Sequence, residues 1–159
     1  MSLKTLPSPL GSLYAEAGSS GLLSLNWSPQ RPSAIGDGEP WLIQLRDALD
    51  AYWAKDWPSW EQQIQQLSKV PQGSSFRQQI WDGITKIPIA QQITYGQLAQ
   101  LTGFGAPSAR AVGGACAANP LLLVIPCHRV TGAHGDRNFA AGLFRKQWLL
   151  KHESEGKSH

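Results

Sequence analysis

The spacing of apolar residues divides the chain into short strands, amphipathic helices and turns. Leu10–Ala17 and Leu22–Trp27 read as strands, and Gly18-Ser19-Ser20-Gly21 between them predicts a hairpin turn. Ser28 to Pro40 holds three prolines and two glycines and predicts a loop. From Trp41 to about Lys55, Leu42, Leu45, Leu49 and Tyr52 recur at helical spacing on one face. Trp53, Trp57 and Trp60 follow, with Pro58 interrupting, and the Gln-rich Glu61–Ser68 reads as connecting structure. Pro71-Gln72-Gly73-Ser74 is a natural domain boundary.

The second half is mainly helical in pattern. Ser75-Phe76-Arg77-Gln78 has capping-box form, with Ser75 as N-cap and Gln78 reaching back. The helix it opens runs to about Ile87, with Phe76, Ile80, Ile84 and Ile87 inward and Pro88 as its stop. Thr94-Tyr95-Gly96-Gln97 is a second capping box and opens a short helix to Thr102. Gly103-Phe104-Gly105 is a turn, and a third helix opens near Pro107 and runs to Ala118, before Asn119-Pro120 stops it. Two short helices about a glycine turn have a helix-turn-helix layout, although many helical hairpins share it. Gly113-Gly114 inside the second of them costs roughly 1 kcal/mol per residue against alanine, so either tight helix packing or the close approach of another backbone is expected there. Gly142 to Glu153 reads as a last helix. The fold class is α/β of the α+β kind. Residues 1–70 form a small hairpin-plus-helix domain, and residues 75–159 a helical one with the helix-turn-helix.

Composition narrows the function. With 42% hydrophobic and 16% charged residues in 159, a packed protein is expected, not a disordered one. The start, Met1-Ser2-Leu3-Lys4-Thr5-Leu6-Pro7, lacks a signal-peptide core and no stretch reads as a membrane span, so an intracellular protein is expected, cytoplasmic in a prokaryote. The cysteines, Cys116 and Cys127, belong to no CxxC pair, which excludes a disulfide framework or zinc knuckle; no metal and no cofactor is expected. Residues 1–75 hold five Lys/Arg and seven Asp/Glu, net −2, and residues 76–159 hold nine and four, net +5. A modestly basic second half fits a polyanionic partner. The tryptophans suit core packing better than base stacking.

The chemistry concentrates at Ile125-Pro126-Cys127-His128-Arg129-Val130, which follows the apolar run Leu121–Ile125. That run is too short to cross a membrane and suits a buried segment. A free thiol titrates near ~8.5 and is a weak nucleophile until it ionises. A neighbouring imidazole can take its proton. The competing reading makes Cys127 a small buried hydrophobe, since adjacent side chains often point apart.

Pro126-Cys127-His128-Arg129-Val130, preceded by Asn119-Pro120 and followed by Arg145-Lys146-Gln147-Trp148-Leu149-Leu150, resembles the O6-alkylguanine-DNA alkyltransferases over about Phe76 to Glu153. The resemblance implies a monomer that binds double-stranded DNA containing O6-alkylguanine, and possible action on O4-alkylthymine. It implies that the second helix of the pair enters the minor groove. Ala111, Gly113 and Gly114 would keep that helix slim, and Arg110 would fill the stack vacated by a flipped nucleotide. Tyr95 would act on the flipped nucleotide and donate to the leaving guanine. Cys127 would take the alkyl group and be consumed. His128, through a water and oriented by Glu153, would activate the thiol. Asn119 would hold the turn before the cysteine, and Arg129 would bridge parts of the fold. Val130, Cys116, Phe139 and Ala140 would line the pocket, Val130 and Ala140 through backbone groups.

The chain departs from the family pattern at Arg137–Gly142. Phe139 stands where a tyrosine is usual, and Ala141 replaces a glycine. Some relatives carry zinc in the first half, which here has no Cys or His. Cys116 near Cys127 raises the prospect of a disulfide under oxidation. Non-catalytic alkyltransferase-like lesion binders place another residue at the cysteine position, and Cys127 argues against that alternative. A thiol hydrolase or a regulator without chemistry would have no need of Cys127 together with Arg110 and Gly113-Gly114.

Overall fold

The expected hairpin forms, and a third strand joins it. β1 (Ser2–Leu6), β2 (Leu13–Gly18) and β3 (Gly21–Asn26) make an antiparallel sheet in that order, with Thr5 opposite Tyr14 and Ala15 opposite Leu25. The computed structural model describes residues 2–28, 38–132 and 141–155, and the chain divides into two compact units, Met1–Gln72 and Gly73–His159. β2 begins at Leu13, later than expected, because Ser8 to Gly11 is a turn closed by the Ser8 hydroxyl and the Gly11 amide.

In the first unit, α1 (Glu39–Trp53) starts two residues earlier than its periodicity suggests, since Pro40 is accommodated in the first turn. It buries Leu42, Leu45, Ala48, Leu49 and Tyr52. The expected loop before it lies mostly outside the described residues. Glu61–Ser68 is not connecting structure: most of it belongs to α2 (Trp57–Gln66). Asp56 caps that helix by accepting from the Ser59 amide at 3.3 Å, and Pro58 sits in its first turn, so the proline starts a helix where it was expected to interrupt one. The Tyr52 ring meets Trp53, Trp57 and Trp60 edge-on at 5.0, 5.1 and 4.9 Å, so these tryptophans are packing.

In the second unit, α3 (Ser75–Thr85) is capped by Ser74, whose hydroxyl accepts from the Arg77 amide at 3.2 Å. The Ser75–Gln78 capping box therefore does not form: the cap lies one residue earlier, because Ser74 keeps the extended backbone a cap needs. The inward face is Ile80, Trp81 and Ile84, and Trp81 Nε1 donates to the Ala115 carbonyl at 2.9 Å. Phe76 is only half-buried and meets Phe104 edge-on at 4.8 Å. β4 (Ile93–Thr94) leads into α4 (Tyr95–Leu101), where the Thr94–Gln97 capping box is complete. Gly103 and Gly105, at φ of +88° and +82°, turn the chain. Pro107 lies in a single 3-10 turn, Ala106–Ser108, and α5 proper is Ala109–Ala117. A 3-10 turn over Cys127–Arg129 runs into β5 (Val130–Thr131), which pairs parallel with β4, and α6 (Leu143–Glu155) closes the unit. The expected α+β class is borne out. Among the described residues no helix is long and apolar enough to cross a membrane.

Candidate active site

The segment before the cysteine is wound, not extended. Ile125 N–H donates to the Leu121 carbonyl and Val124 N–H to the Leu122 carbonyl, each at 2.8 Å, with Leu123 at φ +71°. A left-handed leucine costs of order 1–3 kcal/mol and persists only where its surroundings impose it. Asn119 imposes it from the end of α5. Its Nδ2 donates to the Ile125 carbonyl at 2.7 Å, and its Oδ1 accepts from the Leu121 amide at 2.9 Å. The loop thus closed delivers Cys127 into the interior, 3% exposed.

His128 and Glu153, both fully buried, meet at 2.7 Å between Nε2 and Oε2. Arg129 grips the same carboxylate with Nε to Oε1 at 2.9 Å and Nη2 to Oε2 at 3.0 Å, and spends Nη1 on the Ile87 carbonyl at 2.7 Å. The Ala90 amide adds a donor to Oε1 at 3.3 Å. One carboxylate from α6 therefore organises the turn carrying the cysteine. Burial opposes ionisation of Glu153, but the His128 and Arg129 contacts outweigh it and hold the carboxyl well below the usual range. Burial pushes His128 below its ordinary value, against the pull of Glu153, so the imidazole is neutral at neutral pH.

A lysine that sequence reasoning overlooked completes the cluster. Lys146 is 1% exposed, and its Nζ donates to the Val130 carbonyl at 2.8 Å. It shares the inward face of α6 with Leu149 and Glu153, and that three-and-four spacing was the available signal. Burial pushes the Cys127 thiol up to about 11, while a hydrogen bond from Asn119 and the Lys146 charge pull it down. Burial, and then the nearby Cys127, push Cys116 up to about 12. Both cysteines are free thiols at rest.

The remaining candidates lie on neighbouring elements. Ile93 pairs with the buried Val130 and Thr94 with Thr131, so Tyr95 follows directly from the strand that borders the cysteine turn. On α5, Arg110, Ala111 and Gly114 are exposed, Gly113 is half-buried, and Cys116 is buried. Phe139 and Ala140 lie outside the described residues. Among the described residues no cluster of three His, Cys, Asp or Glu could hold a metal ion.

Residues 75–155 match the family model described as 6-O-methylguanine DNA methyltransferase, DNA binding domain. A methylated-DNA–protein-cysteine methyltransferase of Methanosarcina acetivorans is 32% identical over 92% of this chain and 94% of its own length. One from Salmonella typhimurium is 47% identical over 57% of this chain, and the match spans about half (53%) of that relative. The solved structure of Mycobacterium tuberculosis OGT in complex with DNA resembles the chain at a TM-score of 0.79 and 29% identity, covering 97% of this chain and 93% of that one.

Proposed function

The chain belongs to the 6-O-methylguanine DNA methyltransferase family, and on that premise we propose that it repairs DNA by moving an alkyl group from O6 of guanine to Cys127, as a monomer acting on lesion-bearing duplex. The observation that carries this reading is the buried Cys127 turn tied through His128 and Arg129 to one carboxylate.

The target atom lies inside a base pair, so the nucleotide must be rotated out, which costs a few kcal/mol and less for a badly paired lesion. Arg110 would fill the vacated stack, and Ala111 and Gly114 would let α5 sit in a groove only about 6 Å wide. The Cys127 thiol passes its proton toward His128, whose Nε2 is engaged by Glu153, so Nδ1 is the nitrogen that receives it. The Lys146 charge and the Asn119 hydrogen bond stabilise the thiolate. Sulfur then attacks the alkyl carbon, the carbon–O6 bond breaks, and its electron pair leaves with guanine. The Tyr95 hydroxyl donates a hydrogen bond to that developing anion. The product thioether is stable and nothing returns the thiol, so each molecule acts once.

The test is the intact mass of the protein after mixing with a duplex carrying one O6-methylguanine, followed by peptide mapping. Gain of one methyl group on Cys127 with equimolar guanine restored supports the reading. Tight lesion binding without a mass change would instead make the chain a non-catalytic lesion binder.

A further inference from the structure

The two adjacent glycines of α5 meet different surroundings. A Cβ at Gly113 would lie 3.3 Å from Tyr95 Cε2, 3.5 Å from Cδ2 and 3.7 Å from Cζ, whereas a Cβ at Gly114 would meet nothing within 4 Å. Gly113 is half-buried, and Gly114 is exposed on the same face as Arg110, Ala111 and Ala117. The Tyr95 backbone has little room to retreat. It opens α4 behind a complete capping box and follows directly from the ladder that pairs Thr94 with Thr131.

We propose that Gly113 is a positioning residue for Tyr95, and that Gly114 alone of the pair provides the close approach of the duplex. By carrying no side chain, Gly113 lets the ring lie against α5 and sets where the phenolic hydroxyl ends. A Cβ would press on the ring edge next to the hydroxyl-bearing carbon, and the ring would swing by a few tenths of an ångström. The hydroxyl, furthest from the ring's attachment, would move most. Catalytic hydrogen bonds are sensitive on that scale: a misplacement of about 1 Å can cost about a hundredfold in rate. This assignment rests on the proposed alkyl transfer and deepens it.

The experiment compares Gly113→Ala, Gly114→Ala, Tyr95→Phe and the Gly113→Ala/Tyr95→Phe double variant. For each, the single-turnover rate of alkyl transfer at saturating lesion duplex and the affinity for undamaged duplex at fixed salt are measured, with a thermal midpoint as a folding check. Gly113→Ala is expected to lose about five- to tenfold in saturated rate, on the scale of that geometric sensitivity, and to lose less in affinity. Gly114→Ala should show the reverse split. In the Tyr95→Phe background, Gly113→Ala should cost little more, because the group it misplaces is gone. Equal splits for the two glycines, full additivity with Tyr95→Phe, or a lowered thermal midpoint for Gly113→Ala overturns the assignment while leaving the alkyl-transfer reading intact. Absence of any transfer by the wild-type protein removes both.

Discussion

Lys146 donates its buried ammonium to the carbonyl of Val130, three residues beyond Cys127, at 2.8 Å. This contact fixes a positive charge beside a thiol that is neutral at rest. Glu153 is matched by Arg129, and His128 is neutral, so among the described residues Lys146 is the cation placed to meet the negative charge that appears when Cys127 ionises. Preorganised charge of this kind, in a dry site, is worth more than the same charge in water.

Replacing Lys146 with methionine keeps most of the volume and removes the charge. Because Lys146 pulls the thiol down, its loss raises the thiol further. Alkyl transfer should therefore slow near neutral pH, about tenfold for every ~1.4 kcal/mol of thiolate stabilisation lost. The check is the transfer rate with a free O6-alkylguanine base, which isolates the chemistry from DNA handling. An unchanged rate would show that Lys146 serves only to hold Val130.

The elevated thiol and the neutral imidazole together fix the pH dependence. With Cys127 at about 11 and His128 below its ordinary value, both partners of the proton transfer keep their resting forms across the neutral range. Because the proton passes from the thiol to His128 and not to solvent, the second-order rate constant with the free base should be flat from pH 7 to 9. A climb of about tenfold per unit over that range would mean that the thiol loses its proton to solvent and that His128 does not take it.

Much of this arrangement was legible from the sequence, for identifiable reasons. The Thr94–Gln97 capping box and the glycine turn are local signals, written within four residues, and they form as read. The β2–β3 hairpin is equally local. The failures involve competition between neighbours or distant partners. Ser74 and Ser75 are chemically equal caps, and only the backbone chooses. α2 looked like a linker because its outward face is glutamine and its burial depends on Tyr52 in another helix. β1 is a strand because β2 lies beside it. In the site, the chain order gave Cys127 next to His128, and the resemblance alone pointed to Asn119 as the residue that holds the turn. The burial of Lys146 was signalled only by its spacing from Leu149 and Glu153, a weak cue for a charged residue.

Arg110 is exposed at the start of α5, whereas Cys127, His128 and Glu153 are buried. Arg110→Ala should therefore separate DNA handling from chemistry. If the arginine stabilises the flipped state by about 1.4 kcal/mol, its loss slows transfer from duplex about tenfold. The rate with free O6-alkylguanine should change less than twofold. A matching loss on both substrates would place Arg110 in the alkyl-transfer chemistry instead.

Acid should weaken the fold in two stages, each with its own residue. His128 is held neutral by burial, below its ordinary value. The unfolded chain takes up that proton first, so stability falls as pH drops below about 6.5, by up to about 1.4 kcal/mol per unit. Glu153 is held ionised well below the usual carboxylate range. Its contribution is complete above about pH 4.3, the unfolded value, and is lost as pH falls from there toward the folded value. Glu153→Gln removes the second stage. At pH 7 it also leaves Arg129 buried without its carboxylate, a loss of about 3–5 kcal/mol for a broken buried pair. Thermal or urea unfolding of both proteins from pH 3 to 8 tests this. The variant should be much less stable at neutral pH and should show a flatter decline below pH 4.3. If wild type and variant lose stability in parallel down to pH 3, the acid sensitivity arises from groups other than Glu153.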